Sequence, residues 1–173
     1  MILQLPALTL RPWSVADAEA IARHANDRDV WINLRDRFPH PYTRADAEVW
    51  ISYATQSNLP SVYFAIEVDG EAAGGLSLER LGDVERNTAE IGYWLGRPHW
   101  GRGLATAAVV AATAYAFEQL RFERIEAGVF EWNVASVRVL TKAGYTMEGR
   151  LRRRITKDDR IGDVLMFGRL RSD

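Results

Sequence analysis

Gly101 and Gly103 flank Arg102 between an alternating stretch, Ala89–Leu95, and an Ala-rich run that begins near Leu104. Two glycines just ahead of a helix let the backbone approach an anion closely, because no Cβ stands in the way. They also let several N–H groups converge on one point, which makes a cradle for phosphate. The acid Glu90 lies on the stretch before this turn, and Asn133 and Ser136 follow it in a second polar segment. A carboxylate beside a bound electrophile can take a proton from a nucleophile, and a hydroxyl can donate a hydrogen bond to a leaving anion. Two common phosphate readings fail. The chain has no Gly-Lys-Ser/Thr, which a nucleotide-kinase loop requires. A dinucleotide fingerprint needs a third Gly or Ala where Thr106 stands, and an acid ending the following strand, which Glu123 instead precedes.

Strand signals fall at Leu8–Arg11, Val62–Val68, Ala72–Leu78, Ala89–Leu95, Arg124–Phe130, Tyr145–Arg154 and Arg160–Leu170. Asp69-Gly70 predicts a tight hairpin, and Lys157-Asp158-Asp159 a second one. Ser14 with Asp17 opens a helix to about Ala25, and Thr43 with Asp46 opens another to about Thr55. Leu104 to about Gln119 and Asn133–Ala143 complete the helices, with Gly144 placed as a left-handed terminator. Val30–Tyr42 reads as irregular, since Pro39 and Pro41 forbid regular structure. The expected fold is α/β: a mixed, mostly antiparallel sheet of six to seven strands with helices on both faces. Residues Ala89 to Phe130 supply the parallel pair, whose strand ends should open where a ligand enters.

Composition narrows the classes. At 173 residues, with 47% hydrophobic and 26% charged residues, the chain is expected to form one domain spanning residues 1–173. A net charge of −1 gives no sign of nucleic acid or of an acidic membrane surface as partner. No cysteine is present, which excludes disulfides and thiol catalysis and fits a reducing compartment. Met1–Trp13 lacks the pattern of a signal peptide, and Leu104–Phe117 is too short to span a bilayer. A cytoplasmic protein is expected. His24, His40 and His99 lack metal-ligand spacing, so no metal is expected. The four arginines within Arg150–Arg154 divide between strand faces and have no interleaved aromatics, as a nucleic-acid platform would need.

The motifs and their order resemble the Gcn5-related N-acetyltransferases, in particular the RimJ/RimL branch, whose members acylate protein N-termini or related amines. Gly101-Arg102-Gly103 matches the end of that family's acyl-CoA turn, Gln/Arg-x-x-Gly-x-Gly/Ala, although the first position is Pro98 and the arginine falls one place earlier, at Arg97. LTLRPW with its Ser-x-x-Asp helix, Asn33–Ile51 and Asn133–Arg152 match further segments of the branch. The resemblance implies acetyl-CoA as donor, an amine as acceptor and direct attack without a covalent enzyme intermediate. It implies that Trp94 and Leu95 pair with the pantetheine arm and that the backbone from Gly101 through Leu104 and Ala105 holds pyrophosphate.

The same resemblance suggests Glu90 as base, partly desolvated on a covered sheet. Its alternative is a structural ion pair. The position where the family commonly carries a tyrosine acid is Leu140, which has no proton to give, and Ser136 stands where the branch has a serine near the cofactor sulfur. Asn133 and Ser136 also occupy helix N-cap and N3 positions, where capping alone accounts for them. Trp31, Asn33, Arg35, Phe38 and Tyr42 are candidates to line the acceptor site, or else simply pack their loop. The acceptor stays open between a protein N-terminal amine and a small amine such as a polyamine, amino acid or aminoglycoside. A non-catalytic acyl-CoA sensor is the remaining rival. The chain is expected to act as monomer or homodimer.

Overall fold

The computed structural model describes residues 1–56 and 61–173. One eight-stranded sheet organises them: β1 (Leu3–Leu5), β2 (Leu8–Arg11), β3 (Val62–Val68), β4 (Glu71–Arg80), β5 (Thr88–Leu95), β6 (Arg124–Phe130), β7 (Thr146–Lys157) and β8 (Arg160–Leu170), in the order β1-β2-β3-β4-β5-β6-β8-β7. All neighbours are antiparallel except β5 and β6. The sheet has one strand more than expected. Leu3–Leu5 is too short to show a period and is followed by Pro6, yet it folds back on β2, pairing Leu3 with Leu10 and Leu5 with Leu8. The β3–β4 hairpin turns at Asp69 and Gly70, both with positive φ (52° and 83°), as a type I′ turn demands.

Alternation along the strands feeds two cores. Phe64, Ile66, Leu76, Leu78 and Ile91 pack under α4 (Leu104–Glu118) and α5 (Val134–Lys142). Tyr63, Ala65 and Ala72, with Trp13, pack under α1 (Ala18–Ala25) and α3 (Arg44–Ala54). The first helix starts later than Ser14 suggests. Its capping box with Asp17 closes a single 3-10 turn, Val15–Asp17, before the α-helix proper. Within the supposedly irregular segment, α2 (Arg28–Trp31) adds one helical turn, capped by Asp27. Asn133 caps α5 and Gly144, at φ 83°, ends it, while the Arg169 guanidinium donates to the Ala143 carbonyl at 2.7 Å. A buried Thr113–Tyr145 hydroxyl pair at 2.6 Å ties α4 to the start of β7, which fixes α5 between them.

The parallel pairing of β5 with β6 lasts only three residues: Thr88 with Arg124, Ala89 with Ile125 and Glu90 with Glu126. β5 then continues to Leu95 and β6 to Phe130 without further pairing to each other. The split expected from the strand–turn–helix–strand unit is therefore present.

Candidate active site

A cavity of about 560 Å³ fills this split. It is lined by Glu90 through Trp94 of β5, so both faces of that strand contribute, and by Ala127–Phe130 of β6. The cavity thus passes through the sheet. On the α5 side it meets Asn133 and Ser136. On the α3 side it meets Asn33, Arg35, Phe38, Tyr42, Trp50 and Tyr53.

On the α3 side charge is arranged in pairs. Glu79 and Glu90 stand directly opposite each other across β4 and β5, an arrangement that costs energy when both are ionised. Each is met by an arginine of the same loop. Arg35 donates to Glu90 at 2.5 Å and Arg37 to Glu79 at 2.7 Å, and both arginines are mainly solvent-exposed. Glu90 keeps 35% of its side-chain surface, so it is less desolvated than the sequence leads one to expect, and its charge is answered by Arg35. Phe38 lies between Tyr42 (4.8 Å, tilted) and Trp94 (5.4 Å, edge to face), forming an aromatic wall. Burial pushes the Tyr42 phenol up to about 12, so it stays neutral. Gly75 is required opposite Trp94, because a Cβ there would sit 2.9 Å from the indole nitrogen.

On the α5 side Ser136 receives a hydrogen bond partner that the sequence did not announce. The Tyr93 phenol lies 2.7 Å from Ser136 Oγ and 3.4 Å from its carbonyl. Burial raises the Tyr93 phenol well above its usual range, opposed in part by the bond to Ser136. Asn133 Oδ1 accepts from the Ser136 N–H at 3.0 Å, so the capping geometry is realised. Leu140 is fully buried in the core and is not among the residues that line the cavity.

The glycine turn lies beyond the end of β5, outside the cavity lining. Gly101 and Gly103 have φ of 75° and 77°, and a Cβ on either would meet no atom within 4 Å. The glycines therefore serve conformation and leave open space, which is what a backbone cradle requires. Gly103 is the N-cap of α4 without a side-chain cap and with no acid in the first turn, and the Ala107 N–H is the donor that returns to the Gly103 carbonyl (3.0 Å). The N–H groups of Leu104 and Ala105 are thus available to an anion. Arg102 is half-exposed, 3.8 Å from Asp69. Arg97 turns away to Asp29 at 2.7 Å. The Leu95 carbonyl is taken by the Trp100 indole at 2.6 Å, and the Trp94 side chain belongs to the aromatic wall.

Of the loop candidates, Asn33, Arg35, Phe38 and Tyr42 converge on the cavity, and Trp31 does not. Trp31 stacks on His40 and lies 3.7 Å under the ammonium of Lys157, a lysine buried at the end of β7. Lys157 also holds Asp36 at 2.7 Å, and Arg28 pairs with Asp158, so the loop is fastened to the β7–β8 turn. Sequence reasoning missed Tyr93, Glu79, Arg37 and Lys157. Alternation puts Tyr93 on the face of β5 opposite Glu90, and only the position of α5 gives its hydroxyl a partner at the cavity. His24 is bound to Glu71 at 2.7 Å, and among the described residues no cluster of three or more His, Cys, Asp or Glu side chains suits a metal. Among them, too, no helix is long and apolar enough to cross a membrane.

The split sheet and the helix N-terminus beyond its open end have counterparts among known proteins. The family described as an acetyltransferase (GNAT) domain matches residues 7–146, and the chain belongs to that family of acetyltransferases. It is 30% identical over 168 residues to the uncharacterized N-acetyltransferase p20 of Bacillus licheniformis, covering 96% of this chain and 94% of the relative. It is 33% identical over 146 residues to spermidine N(1)-acetyltransferase of Escherichia coli K12, covering 84% and 76%. The fold superposes with a TM-score of 0.86 on RimL, a ribosomal L7/L12 alpha-N-protein acetyltransferase solved with coenzyme A, at 20% identity over 98% of both chains.

Proposed function

We propose that this protein, acting as one catalytic unit, transfers acetyl from acetyl-CoA to the N-terminal α-amine of a peptide or protein. The observation that carries this reading is the cavity through the β5–β6 split, with a hydroxyl pair on one face and a carboxylate with an aromatic wall on the other. The residues fit the donor. The backbone from Gly101 to Ala105 would hold its pyrophosphate, and the edge of β5 from Ile91 onward, which lacks a β6 partner, would accept the pantetheine arm as a strand would. An N–H on that edge would polarise the thioester carbonyl.

Glu90 takes the proton that the attacking amine must lose, directly or through water, once the exposed Arg35 swings aside. The nitrogen forms its bond to the carbonyl carbon as the carbon–sulfur bond breaks, and Ser136 donates a hydrogen bond to the departing sulfur. Asn133 holds the first turn of α5 in place for that contact.

The charge balance of the α3 side supports a peptide amine, because Glu79 and Glu90 are already answered by Arg37 and Arg35. A polyamine is the second reading. Three carboxylates, Asp46, Glu79 and Glu90, line the cavity, and the relative named as a spermidine acetyltransferase supports it. Acceptor profiling with acetyl-CoA separates them: turnover of N-terminal peptides above that of diamines supports the first, and the reverse order replaces it. Glu90→Gln should lower kcat by roughly a hundred- to ten-thousand-fold while donor binding persists. An unchanged kcat would remove Glu90 from the chemistry.

A further inference from the structure

We infer that Tyr93 is a positioning residue for the acetyl transfer: its phenol occupies the Ser136 oxygen and thereby turns the serine hydrogen toward the leaving sulfur. The inference rests on the reading that Ser136 faces that sulfur. A helical serine left to itself returns its hydroxyl to a backbone carbonyl one turn back, where it has nothing to offer a ligand. Ser136 makes no such bond, and its Oγ instead has the Tyr93 phenol as partner at 2.7 Å.

The phenol is the more acidic of the two hydroxyls and the serine oxygen the better acceptor. Of the two acceptors within its reach, Oγ at 2.7 Å is far nearer than the Ser136 carbonyl at 3.4 Å. Tyr93 therefore donates to Oγ, and the serine hydrogen is left free to point into the cavity that both residues line. Because burial keeps the phenol protonated, it remains a donor across the working pH range. No proton needs to leave Tyr93. The serine keeps its hydrogen too, stabilising the thiolate by a hydrogen bond while water supplies the proton that makes the free thiol.

The pairing gives this chain, which has no tyrosine at Leu140 of α5, a tyrosine aimed at the same serine from β5. Strand alternation alone cannot find it. Tyr93 sits on the α5 face of β5, whereas Glu90 sits on the α3 face. The two ends of the reaction are thus served by residues three positions apart on one strand, through opposite faces of the sheet.

The test is a double-mutant cycle of Tyr93→Phe and Ser136→Ala, read as kcat and as KM for acetyl-CoA, with thermal midpoints as the folding control. Ser136→Ala should lower kcat about a hundredfold. Tyr93→Phe should lower it about tenfold with the KM for acetyl-CoA little changed, and should add nothing in the Ser136→Ala background. With an acetyl thioester of a more acidic thiol, the Tyr93→Phe loss should shrink toward none. Equal losses in both backgrounds, a loss indifferent to thiol acidity, or an undiminished kcat in Tyr93→Phe beside an impaired Ser136→Ala would each overturn the role of Tyr93. An inert Ser136→Ala would instead overturn the reading of Ser136 on which it depends.

Discussion

The two ends of the proposed acetyl-transfer site are built from different materials. The donor end is backbone: two glycines in left-handed conformation, an uncapped helix N-terminus and a strand edge that has lost its neighbour. The acceptor end is side chains: Arg35 on Glu90, Arg37 on Glu79, Phe38 on Trp94, and Lys157 reaching across 121 positions of sequence to Asp36. A backbone site depends on few residue identities but on very strict ones. A side-chain site depends on many, each replaceable in part, and it is where acceptor specificity can change without disturbing the donor.

Among variants that probe this contrast and leave the reacting groups in place, the largest effect should come from breaking the backbone end. Gly103→Val places a β-branched residue at φ 77°, which costs about 1–2 kcal/mol of strain, and it fills the space beside the α4 N-terminus. CoA affinity measured by calorimetry should fall by roughly tenfold or more. Arg102→Ala is the matched control. With its guanidinium half-exposed and 3.8 Å from Asp69, it should weaken CoA by no more than a few-fold. A loss from Arg102→Ala equal to that from Gly103→Val would show that the donor end is a side-chain site after all.

Next in size is the acceptor end. Lys157→Met keeps the apolar stem under Trp31 but releases Asp36, and so loosens the loop that carries Arg35, Phe38 and Tyr42. Steady-state kinetics should give an acceptor KM raised several-fold, with the KM for acetyl-CoA unchanged. A shift in both would mean that the two ends are coupled through the sheet.

The smallest effect concerns β7, remote from both ends. Arg124 holds the Glu148 carboxyl below the usual carboxylate range, so the folded state gains stability from this group at neutral pH and loses it as pH falls through the folded value. Glu148→Gln should lower the thermal midpoint by a few degrees at neutral pH, and the gap to the parent should close as pH falls below the ordinary carboxylate range. A constant gap would mean that the bond to Arg124, rather than its charge, is what stabilises.

This division explains what could be read in advance. The glycine turn, the Asp69-Gly70 hairpin and the Thr43 and Asn133 caps were legible because each is a local rule: a φ value, a turn type, a side-chain oxygen over a helix end. β1 was not, since three residues carry no period and its stability comes from pairing with β2. Trp31 is a candidate for the acceptor site by sequence because it shares a loop with Arg35 and Phe38, but its ring lies against Lys157 at the β7–β8 turn. Glu90 was expected to lose its water to the sheet, and the loop instead supplied it with Arg35.

By itself the sequence determined the order of the strands from β2 onward and of the longer helices, the left-handed glycine turn ahead of α4 and the parallel pair that must open. All of these follow from interactions between residues close in the chain. Only the tertiary structure decided that Tyr93 meets Ser136, that Arg37 answers Glu79 and that Lys157 fastens the loop. Those contacts join side chains far apart in sequence, and their geometry exists only once the two arms of the sheet have separated and α5 has come to rest against the gap.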